Sequence, residues 1–121
     1  VVHVAHLGGG IASILGRIRS YQDKDFWGTG GSDLHGCLPE KDFDWYIRER
    51  LVFDTAGFCG DVRSVRSSIV ELPTDRIVFA SDYPQEIRKP EAVRKFVDDI
   101  RAIGPEGEQM LSGNVNLLLA P

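Results

Sequence analysis

The sequence predicts an α/β fold built on a parallel sheet, and three observations support this. Three short apolar segments have strand character, each precedes apolar residues at helical spacing, and glycine or proline lies between them. Strands that alternate with helices pair in parallel and pack the helices outside the sheet. The three predicted strands are Val1–Ala5, Leu51–Ala56 and Arg76–Ala80.

The helices that follow these strands carry recognisable start and stop signals. A glycine-rich turn, His6–Gly10, precedes a helix whose apolar residues recur at i, i+3, i+4 and i+7. Asp61 is placed to cap the second helix, and Pro90 opens the third in the first-turn position that proline favours. Gly104-Pro105 ends the third helix, and a last short helix is expected over roughly Glu108–Leu118.

The interval between the first and second strands is nearly twice that between the second and third. We expect a long loop there, at about residues 21–46, rich in aromatic residues and glycine. Long loops on compact scaffolds serve as lids, binding loops or subunit contacts. A surface excursion whose aromatic side chains only anchor it explains the composition equally well.

Three parallel strands with buried faces leave two apolar edges unpaired. A closed barrel of eight such units needs roughly 250 residues, whereas this sequence has 121. We therefore expect residues 1–121 to be part of a larger domain whose other strands lie outside this sequence.

Composition argues against several functional classes. The chain is 42% apolar and 26% charged, as soluble domains are. A net charge of −4 with scattered basic residues argues against a nucleic-acid or anionic-membrane surface. No apolar run approaches the roughly 18 residues that span a bilayer. Cys37 and Cys59 have no metal-binding spacing, and nothing indicates an oxidising compartment, so we expect reduced thiols and a cytoplasmic protein.

Asp82 is the first candidate for chemistry. It follows the apolar run Ile77–Ala80, and Pro84 prevents the strand from continuing. The carboxyl ends of buried parallel strands are where α/β barrels hold their reactive groups. The sequence therefore indicates that Asp82 is a metal ligand or a general base.

His6 is the second candidate, because it ends the first strand and precedes glycines that let a ligand approach closely. A histidine there can serve as an acid, a base or a metal ligand near neutral pH. His3 lies at an odd offset from His6, which in a strand points it to the opposite face, so we interpret it as packing. Asp54 either faces the interior or pairs with a nearby base and is left unassigned. His35, in the long loop, is expected to face solvent.

The turn after the first strand also permits a different functional class. Gly8-x-Gly10-x-x-Ser13, after a strand and before a helix, is close to a dinucleotide-binding fingerprint. Asp23 and Asp25 lie near the distance expected for a ribose contact, but they follow a polar run instead of a strand. Nucleophilic serine, P-loop and zincin motifs have no match in the sequence.

Taken together, several motifs resemble the C-terminal part of a metal-dependent amidohydrolase. The nearest branch in resemblance is the aminocarboxymuconate-semialdehyde decarboxylase-related group, and the motifs span almost the whole chain in the right order. The resemblance implies a (β/α)8 TIM barrel, of which this chain supplies about strands 6 to 8 with their helices. The motifs are His6-Leu7-Gly8-Gly9-Gly10, Arg17, Leu51–Ala56, Asp75–Pro84 and Gly113-Asn114.

The resemblance also implies a set of residue roles. Asp82 corresponds to the acidic ligand of a single divalent metal, most often zinc, and His6 to the acid/base histidine. Arg17 corresponds to an arginine that in some decarboxylases binds a substrate carboxylate, sometimes across a homodimer interface. The implied reaction is decarboxylation of a small aromatic or unsaturated carboxylic acid, and hydrolysis of a lactone or amide is the alternative within the superfamily.

The chain departs from the family pattern in one important respect. The family's His-x-His pair and a further metal-binding histidine lie upstream of anything in this sequence. Because stable zinc sites use three or four protein ligands, Asp82 alone cannot assemble the centre. Either the full-length protein supplies the rest of the barrel and its ligands, or the fragment is inactive and keeps only the scaffold.

Overall fold

The computed structural model describes residues 1–21 and 40–119, and this part of the chain forms a parallel sheet with helices. The sheet has three strands in the order β1-β2-β3. They are β1 (Val2–Val4), β2 (Leu51–Asp54) and β3 (Ile77–Val78). The predicted α/β class is confirmed.

The described residues contain six right-handed helices and several tighter or wider turns. A left-handed helical turn occupies Ala5–Gly9 directly after β1. Turns of 3₁₀ helix cover Ile11–Ile14 and Thr74–Arg76, and a π-helical turn covers Gln109–Gly113. The helices are α1 (Leu15–Ser20), α2 (Phe43–Glu49), α3 (Val62–Ser68), α4 (Pro90–Arg101), α5 (Pro105–Glu108) and α6 (Asn114–Leu119).

In the described ranges, no helix combines the length and the apolar character that crossing a bilayer requires.

The third strand is shorter than the sequence suggested. The backbone N–H of Phe79 donates to the carbonyl of Met110 at 2.8 Å, so it does not extend the ladder with β2. The next N–H, that of Ala80, donates to the hydroxyl of Thr55 at 3.1 Å. The chain beyond Val78 is therefore held by a helical turn and a side chain.

The far end of the predicted long loop is helical, which corrects its boundary. Asp42 caps α2, since its carboxylate accepts the backbone N–H of Trp45 at 2.6 Å, and the helix starts at Phe43. Residues 22–39 lie outside the described part of the chain. Four residues discussed above fall in that interval: Asp23, Asp25, His35 and Cys37.

The sheet packs one face against the helices. Val4 pairs with Phe53, and Phe53 pairs with Ile77, so these three side chains share one face. Phe53 and Ile77 are fully buried there. Phe79 continues this side and packs on Phe96 of α4, with ring centroids 5.6 Å apart. The opposite face carries His3, Val52 and Asp54.

Asp61 and Pro90 begin their helices as the sequence predicted. The Asp61 carboxylate accepts the backbone N–H of Arg63 at 2.9 Å and so caps α3. The guanidinium of Arg63 also donates to both oxygens of the Asp61 carboxylate, which lowers the pKa of Asp61 to about 2. Pro90 occupies the first turn of α4.

Asn114 fastens the last helix to the start of β3. Its side chain is 1% exposed, and Nδ2 donates to the carbonyls of Thr74 and Ile77, each at 2.7 Å. The carbonyl of Thr74 also accepts the backbone N–H of Ile77, whereas the bond to the carbonyl of Ile77 is buried, where a lost hydrogen bond is costly. Asn114, from the Gly113-Asn114 motif of the family resemblance, therefore has a structural role.

Replacing Asn114 should therefore be destabilising. We expect Asn114→Ala to lower the free energy of unfolding by about 2 kcal/mol, because the hydrogen bonds of its side-chain amide to the carbonyls of Thr74 and Ile77 are both lost. Asn116→Ala is the matched control, since Asn116 lies on the exposed side of the same helix. Chemical denaturation of both variants checks this, and equal unfolding midpoints would contradict the clamp.

Candidate functional site

Backbone strain in the described residues concentrates at one edge of the sheet. Four non-glycine residues have positive φ: His6 (60°), Leu7 (50°), Cys59 (52°) and Asp82 (53°). All four follow the carboxyl end of a strand. A left-handed conformation costs an L-residue about 1–2 kcal/mol, and such strain collects at functional sites. This edge is also where the sequence placed the candidate site.

His6 lies in the left-handed turn and not in β1. Its backbone N–H donates to Asp54 Oδ1 at 2.9 Å, and its side chain is exposed. The adjacent Leu7 is fully buried in the core, which helps to offset the strain of the turn. Gly8 is required here, because a Cβ on it would lie 2.6 Å from Ile11 Cγ2.

Asp54, which the sequence left unassigned, is a buried carboxylate with three donors. It is 4% exposed, and Oδ1 accepts the backbone N–H groups of His6 and Ala56 at 2.9 and 3.0 Å. Oδ2 accepts His3 Nε2 at 2.7 Å. These hydrogen bonds offset the free-energy cost of removing the charged carboxylate from water.

The interpretation of His3 as a packing residue is wrong. Its side chain is 59% exposed and makes a hydrogen bond to Asp54 instead of entering the core. Strand alternation does not relate the directions of His3 and His6, because β1 ends at Val4 and His6 lies in the turn beyond it. His3 and His6 bind the same carboxylate, one through its ring and the other through its backbone.

Thr55, next to Asp54, holds the segment that leads to Asp82. Its hydroxyl donates to the carbonyl of Ala80 at 2.9 Å and accepts the N–H of the same residue at 3.1 Å. Asp82 is half-buried, and its carbonyl accepts the N–H of Glu86 at 3.0 Å. The carboxyl end of β2 therefore contacts the segments on both sides of it.

His6 and Asp82 share the edge of the sheet, but β2 lies between their strands. They therefore follow the two outer strands of the three and do not lie on neighbouring strands. Within residues 1–21 and 40–119, no group of three or more His, Cys, Asp or Glu side chains is arranged to hold a metal ion. The described residues supply part of a centre at most.

Arg17 lies on α1, and no contact joins it to His6 or Asp82 among the described interactions. Its guanidinium is exposed, and Nε donates to the hydroxyl of Tyr21 at 3.2 Å, which raises the pKa of Arg17. The neighbouring Arg19 has a structural role, since it binds Asp44 at 2.9 Å and Glu71 at 2.7 Å.

The dinucleotide alternative gains no support from the geometry. After Gly10 the chain forms a 3₁₀ turn, and α1 begins only at Leu15. A pyrophosphate site needs an α-helix N-terminus at the glycine turn. The acids of this hypothesis lie outside the described residues.

Sequence reasoning overlooked Gly57. Its φ is +85°, and a Cβ built on it would lie 2.4 Å from both Cβ and Cγ of His6. The available signal was a glycine three residues after a carboxylate that ends a strand.

No protein-family model matches this chain, and a search of curated proteins gives no match. Among solved structures, dihydroxybenzoic acid decarboxylase from Polaromonas sp. JS666, with bound manganese and the inhibitor 2-nitroresorcinol, matches with a TM-score of 0.73 and 20% identity. That match covers 96% of this chain and 32% of the enzyme.

Two further decarboxylases match over the same extent of this chain. 5-Carboxyvanillate decarboxylase from Sphingomonas paucimobilis has a TM-score of 0.67 and 24% identity, covering 96% of this chain and 32% of its own. 2,6-Dihydroxybenzoate decarboxylase from Rhizobium has a TM-score of 0.66 and 21% identity, covering 96% and 33%. The chain thus spans about a third of these proteins and shares their fold there, which confirms the predicted partial (β/α)8 barrel.

Proposed function

We propose that the protein carrying this chain is a divalent-metal-dependent decarboxylase of a small aromatic carboxylic acid. The observation that carries the proposal is the placement of His6 and Asp82, both left-handed, at the carboxyl edge of one parallel sheet. The fold neighbours support the reaction class, because each is a decarboxylase of an aromatic acid.

In this proposal His6 is the acid. It gives a proton to the ring carbon that carries the carboxylate, and the bond to the carboxylate then breaks. The electron pair of that bond returns to the ring and carbon dioxide leaves, so one proton replaces one carboxylate. His6 suits this role because its imidazole is exposed and its backbone is anchored by Asp54.

Asp82 is proposed as one ligand of the metal, with zinc or manganese as the first ions to test. A carboxylate at a strand end is suitable chemistry, and one fold neighbour holds manganese. The described residues do not complete a centre, because no three candidate ligands lie together among them. Asp82 therefore needs partners from outside the described residues.

Arg17 is proposed to bind the substrate carboxylate. A guanidinium offers paired donors that match the two oxygens of a carboxylate. Its exposed position on α1 suits contact with a second subunit, as in the homodimer that the resemblance implies.

The hydrolase alternative would use the same edge of the sheet, so the products must be analysed to distinguish decarboxylation from hydrolysis.

Removing Asp82 tests the metal assignment. We expect Asp82→Ala in the full-length protein to lower both metal affinity and kcat by more than about 100-fold. Mutating a residue that only hydrogen-bonds a metal ligand already lowers metal affinity or activity by about 10- to 100-fold. Metal analysis and carbon dioxide release from 2,6-dihydroxybenzoate are the measurements. Asp75→Ala is the control, because Asp75 is exposed near the opposite end of β3. Unchanged metal content and turnover in Asp82→Ala would make the assignment wrong.

Removing Arg17 tests substrate binding. We expect Arg17→Met to raise KM for 2,6-dihydroxybenzoate by about 10- to 100-fold, because a charged hydrogen bond is worth about 1.5–3 kcal/mol. Arg19→Met is the matched control on the same helix: it breaks two ion pairs, so it should lower Tm and leave KM unchanged. An equal rise in KM for both variants would contradict the role of Arg17.

A further inference from the structure

We propose that Asp54 and Gly57, both at the carboxyl end of β2, are positioning residues that set the orientation of the His6 imidazole. This inference rests on the proposed function, in which His6 is the acid. Two independent contacts support it, one to the backbone of His6 and one to its side chain.

The first contact fixes the backbone. His6 has φ 60° and ψ 48°, a conformation that L-residues avoid. The hydrogen bond from its N–H to Asp54 Oδ1 holds it there, and Asp54 is buried, so water does not compete for that oxygen. The same oxygen accepts the N–H of Ala56, which ties the acceptor to the turn after β2.

The second contact fixes the side chain. The Cα of Gly57 faces the base of the imidazole, and a Cβ there would lie 2.4 Å from His6 Cγ and 2.9 Å from Nδ1. A side chain at position 57 would force the ring away, since real Cβ atoms do not approach that closely. The glycine also satisfies a φ of +85° that other residues adopt only with strain.

No other group competes for this role in the described part of the chain. The imidazole of His6 makes no hydrogen bond there, so neither ring nitrogen is committed to a neighbouring side chain. We attribute the orientation of the imidazole to the hydrogen bond from the His6 N–H to Asp54 and to the missing side chain at Gly57. As far as the described residues are concerned, both nitrogens are available to a substrate.

His3 restrains the carboxylate of Asp54. Its Nε2 bonds Oδ2 of Asp54 at 2.7 Å, which keeps the carboxylate from rotating and leaves Oδ1 directed at His6. His3 acts here through Asp54 and does not reach the substrate in this proposal.

The side-chain contact is tested with Gly57→Ala in the full-length protein. We expect kcat for 2,6-dihydroxybenzoate to fall about 100-fold, because a displacement of about 1 Å can cost that much. KM should change little, and the imidazole NMR signals of His6, assigned through His6→Gln, should shift. Gly104→Ala is the control, because its φ of +118° makes it strained but no atom lies closer than 3.6 Å to the added Cβ. It should lower Tm and leave both kcat and the His6 signals unchanged.

The backbone anchor is tested with Asp54→Ala and Asp54→Asn. Asparagine keeps an oxygen for the N–H of His6, so it should retain the His6 signals and most of kcat. The Asp54→Ala variant should have a kcat about 10- to 100-fold lower, which is the usual loss when a residue that hydrogen-bonds a functional side chain or its backbone is removed. Asp61→Ala, which removes a carboxylate that caps α3, controls for general destabilisation. If Asp54→Ala does not fold, Asp54→Asn and Gly57→Ala still test whether Asp54 and Gly57 position the His6 imidazole.

Three results would overturn the proposal: unmoved His6 signals in Gly57→Ala, an equal kcat loss in Gly104→Ala, or an equal kcat loss in both Asp54 variants. A full-length protein that releases no carbon dioxide would refute the proposed function instead. In that case the His6 signals alone still support or overturn the positioning role.

Discussion

The candidate site depends on one buried carboxylate. Asp54 sits at the end of the central strand, and its three hydrogen bonds join β1, the turn after β1 and the turn after β2. Without those donors, a carboxylate that is 4% exposed would carry a large desolvation cost. The fold therefore stabilises the carboxylate and the carboxylate fixes the strained turn, so each needs the other.

The strain at the edge is supported by ordinary packing behind it. Leu7 is left-handed and fully buried, and its neighbour Gly8 leaves room for Ile11 and Phe53. Burying a leucine side chain contributes about 1.5–3 kcal/mol, comparable to the cost of one or two left-handed residues. The same turn thus places an apolar side chain in the core and a polar one, His6, at the surface.

The sequence allowed the edge to be predicted, but not the network that organises it. Asp82 and His6 could be found because each comes soon after an apolar run, and the carboxyl ends of parallel strands meet at one edge. The bond between His3 and Asp54 joins residues 51 positions apart, which no local pattern reveals. Strand parity misplaced His3 because it assumed that β1 continues to His6, whereas a left-handed turn intervenes. The length of β3 was overestimated because a carbonyl from Met110 takes the N–H of Phe79.

The contacts of residues 110–114 have a consequence for the order in which the fold forms. Met110 accepts a backbone bond from Phe79, and Asn114 donates to the carbonyls of Thr74 and Ile77. Chains emerge from the ribosome N-terminus first, so β3 is synthesised more than thirty residues before the groups that fasten both of its ends. During that interval the strand that leads to Asp82 is held by its pairing with β2 and by Thr55. The acidic side of the site is then completed late, whereas the hydrogen bond that holds the turn carrying His6 is made to Asp54, which is synthesised earlier.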